Sequence, residues 1–433
     1  MKKFIIALVT LCLILVAVVG ATDLRGRVAE VPEPAEEEVS EPVEEVPSPA
    51  LAADEEPEPD EVSVVVPEES EVSPPEEPAV ESGYLDYEAL FRLHDPNEVV
   101  LKVGDTEERW GDYFYVLYTQ CGQIEDYFRS MAAYYGMRFG WTDTVEEGGE
   151  ETYIDMALDG AENLTIQLRA LELFSEKNNV ELSEEILQKI EEEKQQNAVS
   201  ALGEDATVEE FYEYLDGIYL TREMYDRILT QNYLYQESFN ALYGENAEKL
   251  SEEAALEWLK ENGYISAAHI LFQTTDSETG EALSEEAKAE KRAQLEEILE
   301  ELRAIEDPEE RALAFLVKMD TLSEDPGKSY YPEGYTFTQG SMVQEFETAA
   351  MELEDYALSD IVETNYGYHI LMRFPLSADA IVEFSNTDGT ARTAKMLAAN
   401  QEYSEKLQEL SDSLELSWLP GYEEPDLQSF LAE

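Results

Sequence analysis

The spacing of apolar residues predicts a mainly helical chain with two short strand-like segments in its second half. Ser183 and Ser251 are favoured N-cap residues ahead of two helices, and Thr207 with Glu210 has the spacing of a capping box ahead of a third. The aromatic-rich stretch 110–135 has helical spacing, so we expect most of its rings in a core. The predicted helices beyond it cover about residues 154–177, 183–196, 207–243, 251–263, 284–302 and 391–414.

The two strand-like segments, residues 264–272 and 368–374, carry the same tripeptide His-Ile-Leu. Period-two alternation puts the histidine and leucine of each tripeptide on one face of its strand and the isoleucine on the other. If the strands are neighbours, His269 and His369 share a face. A strand histidine is often a satisfied core residue, so a structural and a functional role both stay open from the pattern alone.

Met342 and Phe346 are four residues apart, and on one helix their side chains would meet. Ser341 and Gln344 have capping-box spacing, so we expect the helix to begin there with Met342 in its first turn. Such a pair forms one wall of an apolar pocket, although a pair of this kind is often plain core.

The N-terminal residues differ in composition from the rest. Residues 4–21 form an unbroken apolar run that is typical of an export signal, and its length is also compatible with an uncleaved membrane anchor. Cys12 lies in the middle of this run, which does not suit a lipid-modified cysteine. Most of residues 22–83 are Glu, Pro, Val, Ala and Ser, a composition that buries too little apolar surface to fold and predicts a disordered, extended tether.

The charge balance limits the classes of partner. Asp and Glu total 99 against 28 Lys and Arg, giving a formal net charge of -71, so nucleic acid is not an expected partner. Outside the N-terminal apolar run the only cysteine is Cys121, which excludes an intramolecular disulfide and is expected to be a buried apolar group. We find no spacing of side chains that predicts a metal site.

Short motifs follow one another between His269 and His369. Residues 323–327 are Ser-Glu-Asp-Pro-Gly, residues 335–343 lead into Phe346, and residues 364–368 are Thr-Asn-Tyr-Gly-Tyr. In this order they resemble the parvulin family of peptidyl-prolyl isomerases. The shared order favours this interpretation more than any one motif does.

The resemblance implies a set of site residues. His269 and His369 match the paired histidines of the central strands, and Asp325 matches the position where family members have a cysteine or an aspartate beside the reacting amide. The role of Asp325 would be electrostatic. The residues that match the proline-binding pocket are Met342 and Phe346, with Phe337 behind them.

The chemistry of prolyl isomerisation needs no cofactor and no nucleophile, because no bond is broken. The amide must rotate over a barrier of about 20 kcal/mol. A site accelerates this rotation by binding the twisted amide more tightly than either planar form.

The helices ahead of these motifs, begun by a predicted strand and turn at residues 99–105, resemble the chaperone domain of secreted foldases of the PrsA/SurA type. The resemblance implies an α+β fold: a helical chaperone domain completed by the C-terminal segment, with an inserted parvulin domain whose small antiparallel sheet is wrapped by helices. The expected parts are a signal peptide or anchor at 1–21, the tether at 22–83, the first part of the helical chaperone domain at 84–262, the parvulin-like domain at 263–375, and the C-terminal helix and tail at 376–433.

Two positions depart from the family pattern. Tyr356 stands where the family usually has a turn glycine, so we expect a cost in stability or a re-formed turn. The loop 273–278 lacks the basic cluster with which some parvulins bind phosphate, and its acidic residues would repel a phosphoserine-proline substrate. The expected substrate is therefore an unphosphorylated Xaa-Pro bond.

The function implied is an extracytoplasmic peptidyl-prolyl isomerase and chaperone, secreted or anchored to the outer face of the cell membrane by its N-terminal segment. Its partners would be unfolded or partly folded exported proteins, with membrane contact only through that segment. A second hypothesis, motivated by Tyr356, is a non-catalytic holdase with a degenerate parvulin domain. A third, motivated by the acidic tether, is a cell-surface interaction protein. The oligomeric state stays open.

Overall fold

The computed structural model describes residues 84–146, 148–276, 279–385 and 389–431. The predicted signal or anchor and the predicted tether lie outside the described residues. Within the described ranges, no helix combines the length and the apolar character needed to cross a lipid bilayer.

The described chain begins with a short helix and a hairpin. After α1 (Tyr87–Phe91), strands β1 (Val99–Val103) and β2 (Thr106–Arg109) pair antiparallel across a turn in which Gly104 has a φ of 58°. The long helix α2 (Trp110–Tyr135) follows directly. Its first half is buried, with Trp110 and Phe114 at 0% exposure, as the aromatic pattern predicted, whereas Tyr134 and Tyr135 at its end are exposed.

Five helices continue the N-terminal part, and their start signals are confirmed. The side chains of Ser183 and Ser251 each accept a backbone N–H of the first turn, and Thr207 with Glu210 forms a capping box. The helices are α3 (Tyr153–Lys177), α4 (Glu184–Leu202), α5 (Val208–Asp216), α6 (Arg222–Tyr243) and α7 (Glu252–Glu261).

The prediction of one helix from Thr207 to Tyr243 is wrong. The helix breaks at residues 217–221, where Tyr219 has a φ of 64° and Thr221 caps a new helix by accepting from Met224 N. The Tyr219 ring packs edge-on to Phe114 and Tyr118, at 5.5 and 5.6 Å between ring centroids. Tertiary packing of this ring stabilises a break that the helical periodicity did not indicate.

The two His-Ile-Leu segments are neighbouring strands, as the pattern predicted. Strands β3 (Ile265–Gln273) and β6 (Gly367–Phe374) pair antiparallel at the centre of a four-stranded sheet. The outer strands are β4 (Tyr335–Phe337) beside β3 and β5 (Val362–Thr364) beside β6, giving the order β4-β3-β6-β5.

Helices cover both faces of this sheet. Helix α8 (Glu285–Arg303), capped by Ser284, buries Leu295, Ile298, Leu299 and Leu302 against the face that carries Ile270 and Ile370, as predicted. Helix α9 (Pro308–Leu322) packs on the same face and was missed, although Asp307 with Pro308 is a start signal. The other face carries the histidines and α10 (Gln344–Glu352).

The C-terminal segment returns to the helical part. A hairpin of β7 (Ile381–Phe384) and β8 (Ala391–Thr393) leads into α11 (Ala394–Asp412), which packs on α3 and α7. Strand β9 (Leu416–Trp418) then pairs with β1 as the third strand of the first sheet. The fold class is therefore confirmed as α+β, with a helical region that the C-terminal segment completes around a small antiparallel sheet domain.

A buried ionic cluster holds the helical part together. Glu108, only 2% exposed, accepts hydrogen bonds from Arg169 on α3 and from Arg227 on α6. Arg227 also pairs with Glu172, with 2.6 Å between Nε and Oε1. Cys121 lies in the adjacent apolar core at 0% exposure, as predicted.

Candidate active site

The centre of the site is the pair of histidines on β3 and β6. The register places His269 opposite Leu371 and His369 opposite Leu271, so the two imidazoles lie on one face of the sheet as predicted. Their Nδ1 atoms are 3.0 Å apart and their rings stack at 5.1 Å. Both side chains are buried.

Asp325 lies beside His269 because the loop after α9 is bonded to β3. The Leu271 amide donates to Ser323 Oγ, and the Glu324 amide donates to the Leu271 carbonyl oxygen. This pairing brings Asp325 Oδ2 to 2.8 Å from His269 Nε2. The predicted residues His269, Asp325 and His369 therefore form one contiguous group.

Tyr335 is a member of this group that the sequence analysis missed. Its hydroxyl donates to Asp325 Oδ2 at 2.7 Å, while the Gly327 amide donates to Oδ1 at 3.0 Å. A Cβ atom on Gly327 would lie 1.9 Å from the tyrosine hydroxyl oxygen, so the contact requires glycine there. No local sequence pattern predicts this contact, because it depends on how the loop returns to the sheet.

Thr364 is the second residue of the group that the sequence analysis did not assign. Its hydroxyl lies 2.8 Å from His369 Nε2. A carboxylate only accepts, so His269 Nε2 donates to Asp325; in the neutral ring His269 Nδ1 then accepts from His369 Nδ1. His369 Nε2 is left to accept the Thr364 hydroxyl, and every polar atom along the line is satisfied.

Burial and these hydrogen bonds set the charge states. Burial alone would raise the pKa of Asp325, but hydrogen bonds from His269, Tyr335 and the Gly327 amide lower that pKa to about 2. Burial, reinforced by the neighbouring His269, lowers the pKa of His369 to about 3. At neutral pH the site therefore holds a fixed carboxylate beside a neutral His369.

Apolar side chains form a wall next to the histidines. The Phe346 ring is edge-on to His269 at 5.1 Å and to His369 at 5.9 Å, and Phe337 lies behind it at 5.9 Å. Met342 is partly buried against the same cluster. The structure thus brings the three predicted pocket residues together on the face that carries the histidine pair.

The predicted start of the pocket helix is wrong. Helix α10 begins at Gln344 after Val343, so Met342 precedes the helix and does not lie in its first turn. Ser341 contacts Thr338 and does not cap the helix. The segment is fixed by Glu347 instead, whose carboxylate accepts the Gly340 amide with both oxygens, at 2.8 and 2.9 Å.

A cavity of about 330 Å³ has Met342 in its lining. It does not include the histidines or Asp325. Its lining residues are Gln339, Gly340, Met342, Gln344, Glu347, Thr348 and Met351.

The arrangement suits binding of a strained group better than covalent chemistry. Both oxygens of Asp325 already accept hydrogen bonds, which hold the carboxylate in place as a fixed charge and not as a free nucleophile. Preoriented charges and dipoles next to an apolar wall stabilise a particular charge distribution without reorganising.

A comparison with protein families decides the nature of this part of the chain. Residues 269–374 match the family model described as "Rotamase: PPIC-type PPIASE domain". This segment is a parvulin-type peptidyl-prolyl isomerase domain. All six predicted site residues lie within the matched segment of the parvulin domain.

Solved structures with similarity to the chain include foldases and isomerases. PrsA from Bacillus subtilis is 20% identical over 63% of this chain and 92% of that chain, with a TM-score of 0.24. Peptidyl-prolyl isomerase ESS1 from Candida albicans is 24% identical over 30% of this chain and 78% of its own, with a TM-score of 0.21. One of two SurA-like chaperones from Campylobacter jejuni is 18% identical over 57% of this chain and 89% of that one, with a TM-score of 0.20. No curated protein matches.

Tyr356 keeps the turn of the parvulin domain in the conformation that a glycine would favour. Its φ is 64°, its amide donates to the Arg373 carbonyl oxygen at 2.8 Å, and its own carbonyl oxygen accepts from Arg311 Nη2 at 3.2 Å. The tyrosine therefore occupies the left-handed region, which fits the expected cost in stability.

Proposed function

We propose that the protein is an extracytoplasmic peptidyl-prolyl cis/trans isomerase and chaperone that assists the folding of exported proteins. The observation that carries the isomerase proposal is the hydrogen-bonded line Thr364, His369, His269, Asp325 beside an apolar wall. It combines a surface for a proline ring with a fixed polar group for the amide.

In this proposal Met342, Phe346 and Phe337 hold the proline ring while the preceding carbonyl group rotates. Asp325 acts electrostatically on the twisted amide, and His269 and His369 position Asp325 through their hydrogen bonds. Tyr335 assists by holding the same carboxylate oxygen. Binding energy realised only in the twisted state lowers the barrier.

The proposed substrate is an unphosphorylated Xaa-Pro bond. In loop 273–278, Ser277 and Glu278 lie outside the described residues. The loop that follows the Asp325 turn carries the exposed Glu333, and the protein has a net charge of -71. Phosphate would be repelled from such surroundings.

The chaperone part of the proposal rests on the helical region and the N-terminal sequence. Helix α2 ends in the exposed residues Tyr134 and Tyr135, at 81% and 70% exposure, and Met137, two residues beyond the helix, is 47% exposed. These side chains suit contact with unfolded clients. The apolar run 4–21 and the acidic tether favour a position outside the cytoplasm.

The holdase alternative rested on Tyr356, and the hydrogen bonds of its turn and of the histidine group give it little support. The turn around Tyr356 keeps its hydrogen bonds to Arg373 and Arg311, and the histidine group on the other sheet face is fully bonded. We therefore favour an active isomerase.

The test is NMR exchange spectroscopy on an Ala-Pro peptide with the protein and its Met342→Ala variant. We expect the wild type to make exchange much faster than the uncatalysed reaction, which takes tens of seconds. Met342→Ala should lower kcat/KM about tenfold or more, because the proline ring loses one wall of its pocket. Met137→Ala, two residues beyond the end of α2, is the matched control and should keep full activity.

Each outcome separates the two parts of the proposal. A folded wild type without acceleration rejects the isomerase. A parallel light-scattering assay with a denatured client tests the chaperone, and aggregation that is unchanged by the protein rejects that part. Met342→Ala should still suppress aggregation, because the exposed residues of α2 are intact.

A further inference from the structure

A row of aromatic rings leads away from the catalytic group. Tyr335, which bonds Asp325, has its ring 5.7 Å from His269 and 4.7 Å from Tyr331. Tyr331 lies 5.4 Å from Phe384, and Phe384 lies 5.7 Å from Tyr330. We call these four residues, Tyr335, Tyr331, Phe384 and Tyr330, the aromatic row.

The loop that supplies the row is tightly built. The amides of Tyr330 and Tyr331 both donate, at 3.0 Å, to the carbonyl oxygen of Gly327, the same glycine that admits the Tyr335 hydroxyl. Gly334 has a φ of 96°, and a Cβ atom there would lie 2.8 Å from the Ala267 carbonyl oxygen of β3. The loop is thus pressed against the sheet, and its rings have fixed places.

One ring of the row comes from outside the segment that matches the isomerase family. Phe384 ends β7, in the hairpin that leads back to the helical part, whereas the family match ends at residue 374. Phe384 lies between Tyr330 and Tyr331, with both rings edge-on to it at 82° and 83°. The returning chain therefore extends the isomerase site on its Asp325 side.

The outer end of the row is open to solvent. Tyr330 is 59% exposed, and Tyr331 and Phe384 are half-buried. Such a surface, continuous with a site that binds a peptide, suits an apolar and preferably aromatic side chain, because ring pairs in edge-on or offset contact add to the burial of apolar area. Glu333 flanks the row and disfavours an acidic side chain, whereas the neighbouring Glu383 is paired with Arg392, at 3.2 Å between Oε1 and Nη1.

We propose that the aromatic row is a specificity subsite of the isomerase, which takes an aromatic side chain next to the proline of the client peptide. This inference rests on the proposed isomerase function. Tyr330, Tyr331 and Phe384 contact that side chain, and Tyr335 connects the subsite to Asp325.

The test compares kcat/KM for two series of three peptides. In the first series the residue before the proline is Ala, Phe or Glu, and in the second series the residue after the proline is varied in the same way. We expect a preference of roughly fivefold for Phe over Ala in one of the two series, and a lower value for Glu. Tyr330→Ala should bring the ratio of Phe to Ala close to one.

Tyr330 is the variant of choice because an exposed ring is not needed for folding. Phe384→Ala provides a second test and should reduce the same ratio. Tyr366→Ala is the matched control, since Tyr366 is 56% exposed and lies in the turn between β5 and β6, at the opposite edge of the sheet from β4. It should keep the ratio of the wild type.

A merely structural role of the row predicts a different result. Variants would then lower kcat/KM for all peptides equally and leave the ratio unchanged, which overturns the subsite. Equal rates for Phe and Ala in both series with wild-type protein also overturn it. Absence of any acceleration, even for the Ala peptide, rejects the proposed function itself.

Discussion

Tyr356 shows how one residue tolerates a conformation that usually belongs to glycine. An L-residue with positive φ costs about 1 kcal/mol or more, and the tyrosine offsets part of this by packing its ring edge-on to Phe374 at 6.2 Å. The hydrogen bonds of its amide and carbonyl groups hold the turn in place.

We predict that Tyr356→Gly is more stable than Tyr356→Ala by about 1 kcal/mol, because both lose the ring but only glycine relieves the backbone strain. Urea unfolding of the two variants measures the difference. Equal stability of the two would show that the positive φ is not a cost at this position.

His369 makes the stability of the sheet depend on pH. Its pKa is lowered to about 3 by burial and by His269, whereas an unfolded histidine has a pKa of about 6.5. Between these values the unfolded chain binds a proton that folded His369 does not, so this contribution to stability is complete above pH 6.5 and is lost as the pH falls toward 3.

We therefore expect His369 to account for a loss of about 2 kcal/mol in unfolding free energy between pH 7.5 and pH 5. Urea unfolding at both pH values checks it, with His369→Gln showing a correspondingly smaller difference. His94→Gln is the control outside this sheet and should keep the wild-type difference. An identical pH dependence in His369→Gln contradicts the assignment.

For single residues, the sequence predicted part of the site. The shared face of His269 and His369 follows from period two, a local property that does not depend on the rest of the fold. The contact of Tyr335 with Asp325 does not, because it requires a loop that returns to the sheet and a glycine at position 327. Met342 packs against the cluster that contains Phe346 from a bend before the helix, which i and i+4 spacing cannot indicate.

At the scale of elements, helix starts were predictable and breaks were not. Thr207 and Ser251 cap helices through side chains close in sequence, so the signal is local. The break at Tyr219 depends on rings from α2. The start of α10 differs from the predicted one because the Glu347 carboxylate accepts the Gly340 amide. In both cases a contact outside the local pattern decided the boundary.

The ionic cluster around Glu108 joins three elements, β2, α3 and α6. Glu108→Ala would leave the two guanidinium groups of Arg169 and Arg227 with Glu172 as their one remaining carboxylate in a largely buried place. We predict a loss of about 3–5 kcal/mol in unfolding free energy, since removing one member of a buried ion pair leaves uncompensated charge.

The matched control is the neighbouring Glu107→Ala. Glu107 is 59% exposed and pairs with Lys102 at 3.7 Å, so we expect a change below about 1 kcal/mol. Urea unfolding of both variants gives the comparison. If Glu108→Ala lowers the unfolding free energy as little as Glu107→Ala does, the ion pairs of the cluster do not stabilise the folded state relative to hydration of the same groups in the unfolded chain.

In the whole molecule, the chain enters and leaves the sheet domain at neighbouring points. Ser266 near the start of β3 pairs with Phe374 at the end of β6, so the chain leaves the domain close to where it enters. The helical part is bound together by its own distant ends, through β1 with β9 and through α11 with α3. We propose that the domain is an insertion that folds as a unit of its own.

The pairing of β9 with β1 has a consequence for the order of events during synthesis. A chain made from its N-terminus presents β1 long before β9, because the two strands lie more than three hundred residues apart. The isomerase segment is complete while the sheet of the helical part still lacks its third strand. A chain stopped short of residue 416 would therefore combine a finished isomerase with an unclosed helical part, which would be the first target of a protease.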